Sequence, residues 1–216
     1  MSVSVVTPVN DHQVYAGLVE SLSHCESNWE AIRVDGSASA TKALNEGIEK
    51  ASNDIVVCCH QDVRFAKGFL SSLKPKQTTG VVGTFGRDMN LNCAGRIYNP
   101  KPKLRSAGTL PCEAMSLDEH CLIFRRSSGL RFDEGLPYWH VYGADLCLTA
   151  RELGKRNWIV DSMGLNHLSS KGTFDPTFEM AIKWLINKWS GRTYLRLFRT
   201  MCFEVDFQTG HYISYA

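Results

Sequence analysis

The sequence predicts a single α/β domain, a mixed but mainly parallel sheet flanked by helices. Three observations carry this expectation. Apolar runs of strand length alternate with stretches of helical spacing over the first half of the chain, the pattern of a parallel sheet covered by helices. One run, Ile55-Val56-Val57-Cys58-Cys59, is apolar at every position, which suits a strand buried on both faces. Three runs end in polar residues, at Thr7-Pro8, Asp35-Gly36-Ser37 and His60-Gln61-Asp62. In open α/β sheets, ligands bind beyond the carboxyl ends of the strands.

The elements follow in order. Val3 to Val9 is a β-branched run that breaks at Pro8 and reads as a buried first strand. Val14 to Leu22 has helical spacing, and Trp29 to Val34 reads as a second strand closed by Gly36. Thr41 to Ala51 reads as an amphipathic helix with Leu44, Ile48 and Ala51 on one face and Ser39 as its cap. After the strand at 55–59, Phe65 to Leu73 reads as a helix and Val81-Val82 as a short strand. Asp88 to Leu110 is rich in Asn, Gly, Pro and Lys and reads as a long loop or irregular hairpin. Cys121 to Phe124 is strand-like, Gly143 to Leu153 helical with Gly154 as its stop, and Trp158 to Val160 a short strand. Phe174 to Trp189 is helical, with Phe178, Ile182, Leu185 and Trp189 facing inward.

Bulk properties narrow the function classes. A chain of 216 residues is the size of one domain and large enough for a core without staples. A net charge of +2 is too small to imply nucleic acid as the main partner. Two local basic stretches, Lys67/Lys74/Lys76 and Arg192/Arg196/Arg199, read as solvated faces, with an anionic contact as the alternative for the second. No apolar run reaches the length of a membrane span, and no secretory pattern opens the chain, so a cytoplasmic protein is expected. The 8 cysteines, several inside apolar runs and none in a CxxC pair, read as reduced thiols rather than a zinc site.

Asp62 is the centre of the chemical case. A carboxylate set directly after a buried strand is held by the sheet and exposed at its end. One such carboxylate, together with substrate phosphates, is a normal way to hold Mg²⁺ or Mn²⁺. His60 shares its side parity and could be a ligand or a supporting group; the alternative for Asp62 is a turn residue capping the helix after it. Asp118 and Glu119, placed before a strand, read as contacts to acceptor or donor sugar or as solvated acids. Trp139 and His140, with Tyr142, read as a stacking surface for a sugar ring or as core aromatics.

Together, several segments resemble the family 2 glycosyltransferases. These are Val5-Val6-Thr7-Pro8-Val9-Asn10, the helix Ala43-Leu44-Asn45-Glu46-Gly47-Ile48, and Asp54 through His60-Gln61-Asp62-Val63. Phe132-Asp133-Glu134, Tyr142-Gly143-Ala144-Asp145-Leu146-Cys147 and Asn166-His167-Leu168-Ser169 follow in order. The likeness runs from about residue 3 to residue 190 and is closest to a branch in which His-Gln-Asp replaces Asp-x-Asp.

The resemblance implies a GT-A-like, Rossmann-like domain. Residues 1–90 would form a nucleotide-binding half, 91–190 an acceptor and catalytic half, and 191–216 a C-terminal extension. It implies an inverting transfer of sugar from a nucleotide-diphospho-sugar, a UDP-sugar being favoured, to a saccharide or glycolipid acceptor in surface polysaccharide or glycolipid assembly. Thr7, Pro8, Val9, Asp35, Ser37, Asn45 and Asp62 would bind the donor. Asp62, His167 and His60 would hold Mn²⁺ or Mg²⁺, and Asp145 would be the catalytic base. Near the start of its helix, Asp145 is expected to have a lowered pKa. The sequence departs from the family pattern at His60, at Gly143, where related sequences often place an acid, and in the short segment between Asp35 and Asn45. A non-catalytic relative is one alternative. A sugar nucleotidyltransferase is another, which the glycine-free, Lys/Arg-free Pro8–His12 argues against. The C-terminal segment, Tyr194 to Tyr215, is aromatic and basic, and packing on the core, subunit pairing and a membrane face all remain open to it.

Overall fold

The computed structural model describes residues 2–76, 78–98, 102–103, 109–168 and 176–215. The first half holds β1 (Ser2–Val9), α1 (His12–Ser23), β2 (Asn28–Asp35), α2 (Ala40–Lys50), β3 (Ile55–Cys59), β4 (Val63–Arg64), α3 (Phe69–Ser72) and β5 (Thr79–Gly83). Then come β6 (Phe85–Asp88), β7 (Cys93–Gly95), β8 (Ile97–Tyr98), β9 (Pro102–Lys103), β10 (Cys112–Leu117) and β11 (Cys121–Arg125). The chain continues through α4 (Tyr142–Glu152), β12 (Arg156–Ile159), β13 (Asn166–His167), α5 (Pro176–Trp189), β14 (Leu197–Arg199), β15 (Phe203–Asp206) and β16 (Tyr212–Ser214).

A 9-stranded sheet in the order β2-β1-β3-β11-β5-β12-β10-β6-β7 forms the centre. Strand β1 pairs in parallel with β2 and β3, and β12 with β5. Strand β11 inserts antiparallel between β3 and β5, so β2, β1, β3, β5 and β12 all point the same way. One face packs on α2, α4 and α5 through Leu44, Ile48, Leu146, Ile182 and Leu185. The other carries α1 and α3, with Leu18, Leu22, Phe69 and Leu70 against Val5, Val57 and Ile123.

The expected caps and stops are present. The Ser39 hydroxyl accepts from Lys42 N–H, and Gly154, with φ of +71°, ends α4. The expected helix over Phe65–Leu73 is instead one turn at Phe69–Ser72. Gly68 adopts φ of +85°, which breaks helical geometry, and Phe65 N–H bonds the Ser21 hydroxyl of α1. The stretch after Asp88 contains β7, which pairs back on β6, and the short β8 and β9. Of the last expected helix, 174 and 175 lie outside the described residues, as does Ser169 of the late motif.

Strand β10 and the C-terminal strands were not expected. Strands β14, β15 and β16 form a small antiparallel sheet whose Phe198, Phe203 and Val205 are buried in the core, as is Phe207 just after β15. The basic residues there are engaged locally: Arg199 pairs with Glu204, and Arg192 pairs with Glu152 while lying over the Trp189 ring. All eight cysteines are free thiols. Among the described residues no helix is long and apolar enough to cross a membrane.

Candidate active site

The three polar strand ends meet as their register requires. Val9 lies opposite Asp35 across β1 and β2, and Val6 opposite Cys58 across β1 and β3. At this edge opens a cavity of about 580 Å³, lined by Pro8, Val9, Asn10, Val14, Val34, Gly36, Ser37, Ala40, His60, Gln61, Asp62, Trp139 and Tyr142. Of the residues singled out from the sequence, Pro8, Val9, Ser37, His60, Asp62 and Trp139 thus share one cavity.

The other expected donor residues are not in its lining. Thr7 is fully buried, its hydroxyl 3.5 Å from Cys59 Sγ. Asp35 accepts from Arg33 Nε at 2.8 Å and lies 3.5 Å from His12. Asn45 is a staple between elements: its amide donates to Phe132 O at 2.8 Å and to Glu134, and its oxygen accepts from Phe132 N–H at 3.0 Å. His140 stands edge-on to the Phe178 ring, leaving Trp139, 47% exposed, as the open aromatic.

At the end of β3 the polar groups form a chain. His60 Nδ1 is 3.3 Å from His167 Nε2, and that nitrogen is 3.2 Å from Asp62 Oδ1. The other His60 nitrogen is 2.9 Å from the Tyr142 hydroxyl. His167 is carried on β13, beside β4, and Leu168 N–H donates to Asp62 O. Behind it, His120 stacks on the His167 ring with centroids 5.4 Å apart. His120 is itself fixed between Asp118 at 2.7 Å and Thr84 at 2.9 Å.

Sequence reasoning missed His120, Gln61 and Asn10. Gln61 Oε1 accepts from Asn10 N–H and Asp11 N–H, each at 3.0 Å, tying the end of β3 to the loop after β1. The central place of Gln61 in His60-Gln61-Asp62 was the available signal. His120 had none, since Thr84 and His167 are distant from it in sequence.

Electrostatics suit a cation-binding edge. Burial and the neighbouring His167 push His60 down to about 4, leaving it neutral at neutral pH. Burial alone would raise Asp62. The hydrogen bond and charge from His167, with His60 beyond, outweigh it and hold Asp62 below the usual carboxylate range. His120 does the same for Asp118. Ligand atoms of His60, Asp62 and His167 all lie within 4.8 Å of one another. Two imidazoles and a carboxylate converging in this way form a donor set that fits a divalent cation, and the Tyr142 contact orients the His60 ring from behind.

Asp145 differs from expectation. It is 2% exposed and absent from the cavity lining. Trp189 Nε1 donates to Oδ1 at 2.7 Å and Lys188 Nζ lies 2.8 Å away. Its pKa is raised rather than lowered, because burial outweighs the Lys188 charge and the hydrogen bonds from Lys188 and Trp189.

A second acid, Glu119, stands at the start of α4, its Oε1 accepting from Gly143 N–H at 2.8 Å. Burial, reinforced by Asp118, pushes Glu119 up to about 8 despite the N–H groups of Gly143 and Val141.

No family model matches the chain. It is 32% identical over 120 residues to "ATP synthase subunits region ORF 6" of Fuscovulum blasticum, covering 49% of this chain and 48% of the relative. The chain thus spans about half the length of that curated relative.

Solved structures are similar over most of the chain. The mannosyltransferase PcManGT from Pyrobaculum calidifontis, in complex with GDP-Man and Mn²⁺, matches at TM-score 0.56 and 14% identity, covering 86% of this chain and 60% of that one. TarS of S. aureus with UDP matches at 0.55 and 14%, covering 87% and 65%. GalNAc-T7 with UDP, GalNAc and Mn²⁺ matches at 0.61 and 12%, covering 86% and 48%. The chain has a GT-A glycosyltransferase fold. It spans less than two thirds of each of these three proteins.

Proposed function

We propose that the chain is a metal-dependent, inverting glycosyltransferase of the family 2 type, moving a sugar from a nucleoside-diphosphate donor to the hydroxyl of a saccharide or glycolipid. The observation that carries this reading is the convergence of His60, Asp62 and His167 beside a cavity at the carboxyl ends of β1, β2 and β3. Among the solved structures that share the fold, PcManGT is in complex with GDP-Man and Mn²⁺, and GalNAc-T7 with UDP, GalNAc and Mn²⁺.

In this reading Pro8, Val9 and Ser37 line the base and ribose region, and Trp139 offers an exposed ring to sugar. His60, Asp62 and His167 hold the cation; their two nitrogens and one oxygen favour Mn²⁺ over Mg²⁺, which prefers oxygen. When bound, the cation neutralises charge developing on the leaving diphosphate.

Calorimetry with UDP, GDP and their sugar conjugates, with and without Mn²⁺, tests this. Mn²⁺-dependent binding that Asp62→Asn weakens about tenfold or more is expected. If no nucleotide binds in either condition, the reading is wrong. Binding with no sugar release would leave a nucleotide-sugar-binding relative instead.

A further inference from the structure

We propose that a second cavity, over β5 and β12 on the sheet face that carries α3, binds an amphiphile made of one alkyl chain and a phosphate head. This site is separate from the donor cavity and does not rest on the glycosyl-transfer reading.

The cavity has a volume of about 730 Å³, within the range of about 300–1,000 Å³ usual for small-molecule sites. No residue that lines it also lines the donor cavity. Helix α3 ends at Ser72, and the cavity is bounded by the segment after it, Leu73 to Lys76, by β5 and β12, and by the loop at Val160 to Met163.

Its apolar part is aliphatic and aromatic. Leu73, Val82 and Ile123 are buried, and Trp158 and Val160 are half-buried beside them. Apart from the Trp158 indole N–H, these five side chains carry no hydrogen-bonding group. They suit an alkyl chain and not a base or a sugar, whose polar groups would lose water without gaining partners.

Its charged part is basic. Lys74, Lys76 and Arg156 are exposed in the lining, against one acid, Asp161. Lys74 and Lys76 belong to the stretch that reads from the sequence as a solvated face. Lys67 of that stretch pairs with Glu26 at 3.1 Å, whereas among the described residues neither Lys74 nor Lys76 pairs with an acid. Arg156 comes no nearer than 3.8 Å to Glu113, with its side chain 70% exposed. Asp161 is engaged by its own loop, its Oδ1 accepting from Met163 N–H at 2.9 Å. Cations beside an apolar slot complement a phosphate carried on a chain.

The loop at Met163 adds a second observation. Met163 lines the cavity, is 50% exposed and adopts φ of +45°. A non-glycine residue in that region is strained, and such strain persists where the surroundings over-determine it. The Asp161 bond and the Leu165 N–H to Ser162 O bond hold the loop in this form. They keep a flexible apolar side chain at the cavity, of the kind that adapts to apolar ligands. A bilayer contact would need several apolar side chains standing out from the surface. Of those named here only Met163 is exposed.

Calorimetry on the whole chain tests this with three probes: decyl phosphate below its micelle threshold, decanol and inorganic phosphate. Decyl phosphate is expected to bind at one molecule per chain, about tenfold or more tighter than decanol, and inorganic phosphate alone to give no binding. The variant Lys74→Gln/Lys76→Gln/Arg156→Gln replaces exposed side chains, so its thermal melt is expected to match wild type. It is expected to bind decyl phosphate about tenfold or more weakly with UDP binding in Mn²⁺ unchanged. Met163→Glu, also at an exposed position, is expected to weaken decyl phosphate as well. Equal affinity for decyl phosphate and decanol, uptake of many molecules per chain, or a triple variant that binds like wild type overturns the proposal. Binding to phosphatidylglycerol vesicles without binding of the monomeric probe also overturns it, in favour of a bilayer face. A wild type that binds decyl phosphate but no nucleotide leaves this site standing and removes the transferase reading alone.

Discussion

Glu119 and His60 are uncharged at neutral pH for the same reason, burial at a crowded edge, and their effects on stability have opposite signs. The unfolded chain loses the Glu119 proton near 4.5, whereas the folded chain keeps it to about 8. The unfolded state then binds fewer protons, so stability falls as pH rises through that interval. His60 is held down to about 4 when folded, so its effect runs the other way and is complete above its ordinary value of 6.5. Between pH 6.5 and 8, Glu119 acts without that opposition, facing Asp118 from its own turn and Tyr142 from α4. Urea midpoints of wild type are expected to fall across that interval and those of Glu119→Gln to stay level; equal slopes would remove the buried-acid explanation. The sequence showed Asp118-Glu119 as a pair of acids before a strand, which on local grounds looks solvated. Their partners, His120 and the start of α4, take up their places only when β11 and α4 pack together. Asp145 misled for a similar reason. The helix dipole acts locally, while Lys188 and Trp189, 43 and 44 residues further on, and burial decide its state.

Elements with strong local signals were legible. The β-branched run of β1, the apolar run of β3 and the Ser39 cap of α2 each follow from short-range physics. The approach of α2 to the sheet is a long-range matter: a Cβ on Gly47 would sit 2.2 Å from Val6 Cγ1, so only glycine permits that approach. What local pattern could not show was the partner of each polar group. Asn45 looked like a ligand-facing residue and instead fastens α2 to the segment at Phe132, 87 residues away. Replacing Asn45 with Ala would leave the buried Phe132 N–H and carbonyl without partners, a loss of about 2–3 kcal/mol. Equilibrium denaturation measures this; a loss below about 0.5 kcal/mol, the scale of an unremarkable surface change, would mean the staple carries no weight. The failed helix at Phe65–Leu73 has a matching cause, because Phe65 N–H is held by the Ser21 hydroxyl, 44 residues away, and Gly68 turns the chain.

At the scale of the molecule, the C-terminal extension is part of the core. Phe198, Phe203, Val205 and Phe207 are each no more than 2% exposed. Ser116 Oγ donates to Arg199 O at 2.7 Å and Arg87 Nε to Thr200 O at 3.1 Å, tying the small sheet to β10 and β6. Burial of each large apolar side chain contributes about 1.5–3 kcal/mol, and a whole domain is stable by only about 5–15 kcal/mol. A chain ended at residue 193 is therefore expected to lose its cooperative thermal transition by circular dichroism; a truncated chain melting like wild type would show the extension to be an accessory. The sequence revealed this segment's aromatic content but not its role, since three-residue strands leave little periodicity to read.

The place of β11 in the sheet has a consequence for how the chain is made. Strand β3, apolar throughout, has β1 on one side and β11 on the other, and β11 ends at Arg125. On a ribosome, residues 1–90 emerge with that sticky edge bare, a template for mispairing with any passing strand. The edge is covered only once β11 has been translated as well, so the nascent chain has to be shielded through that interval or made quickly enough to outrun its own aggregation.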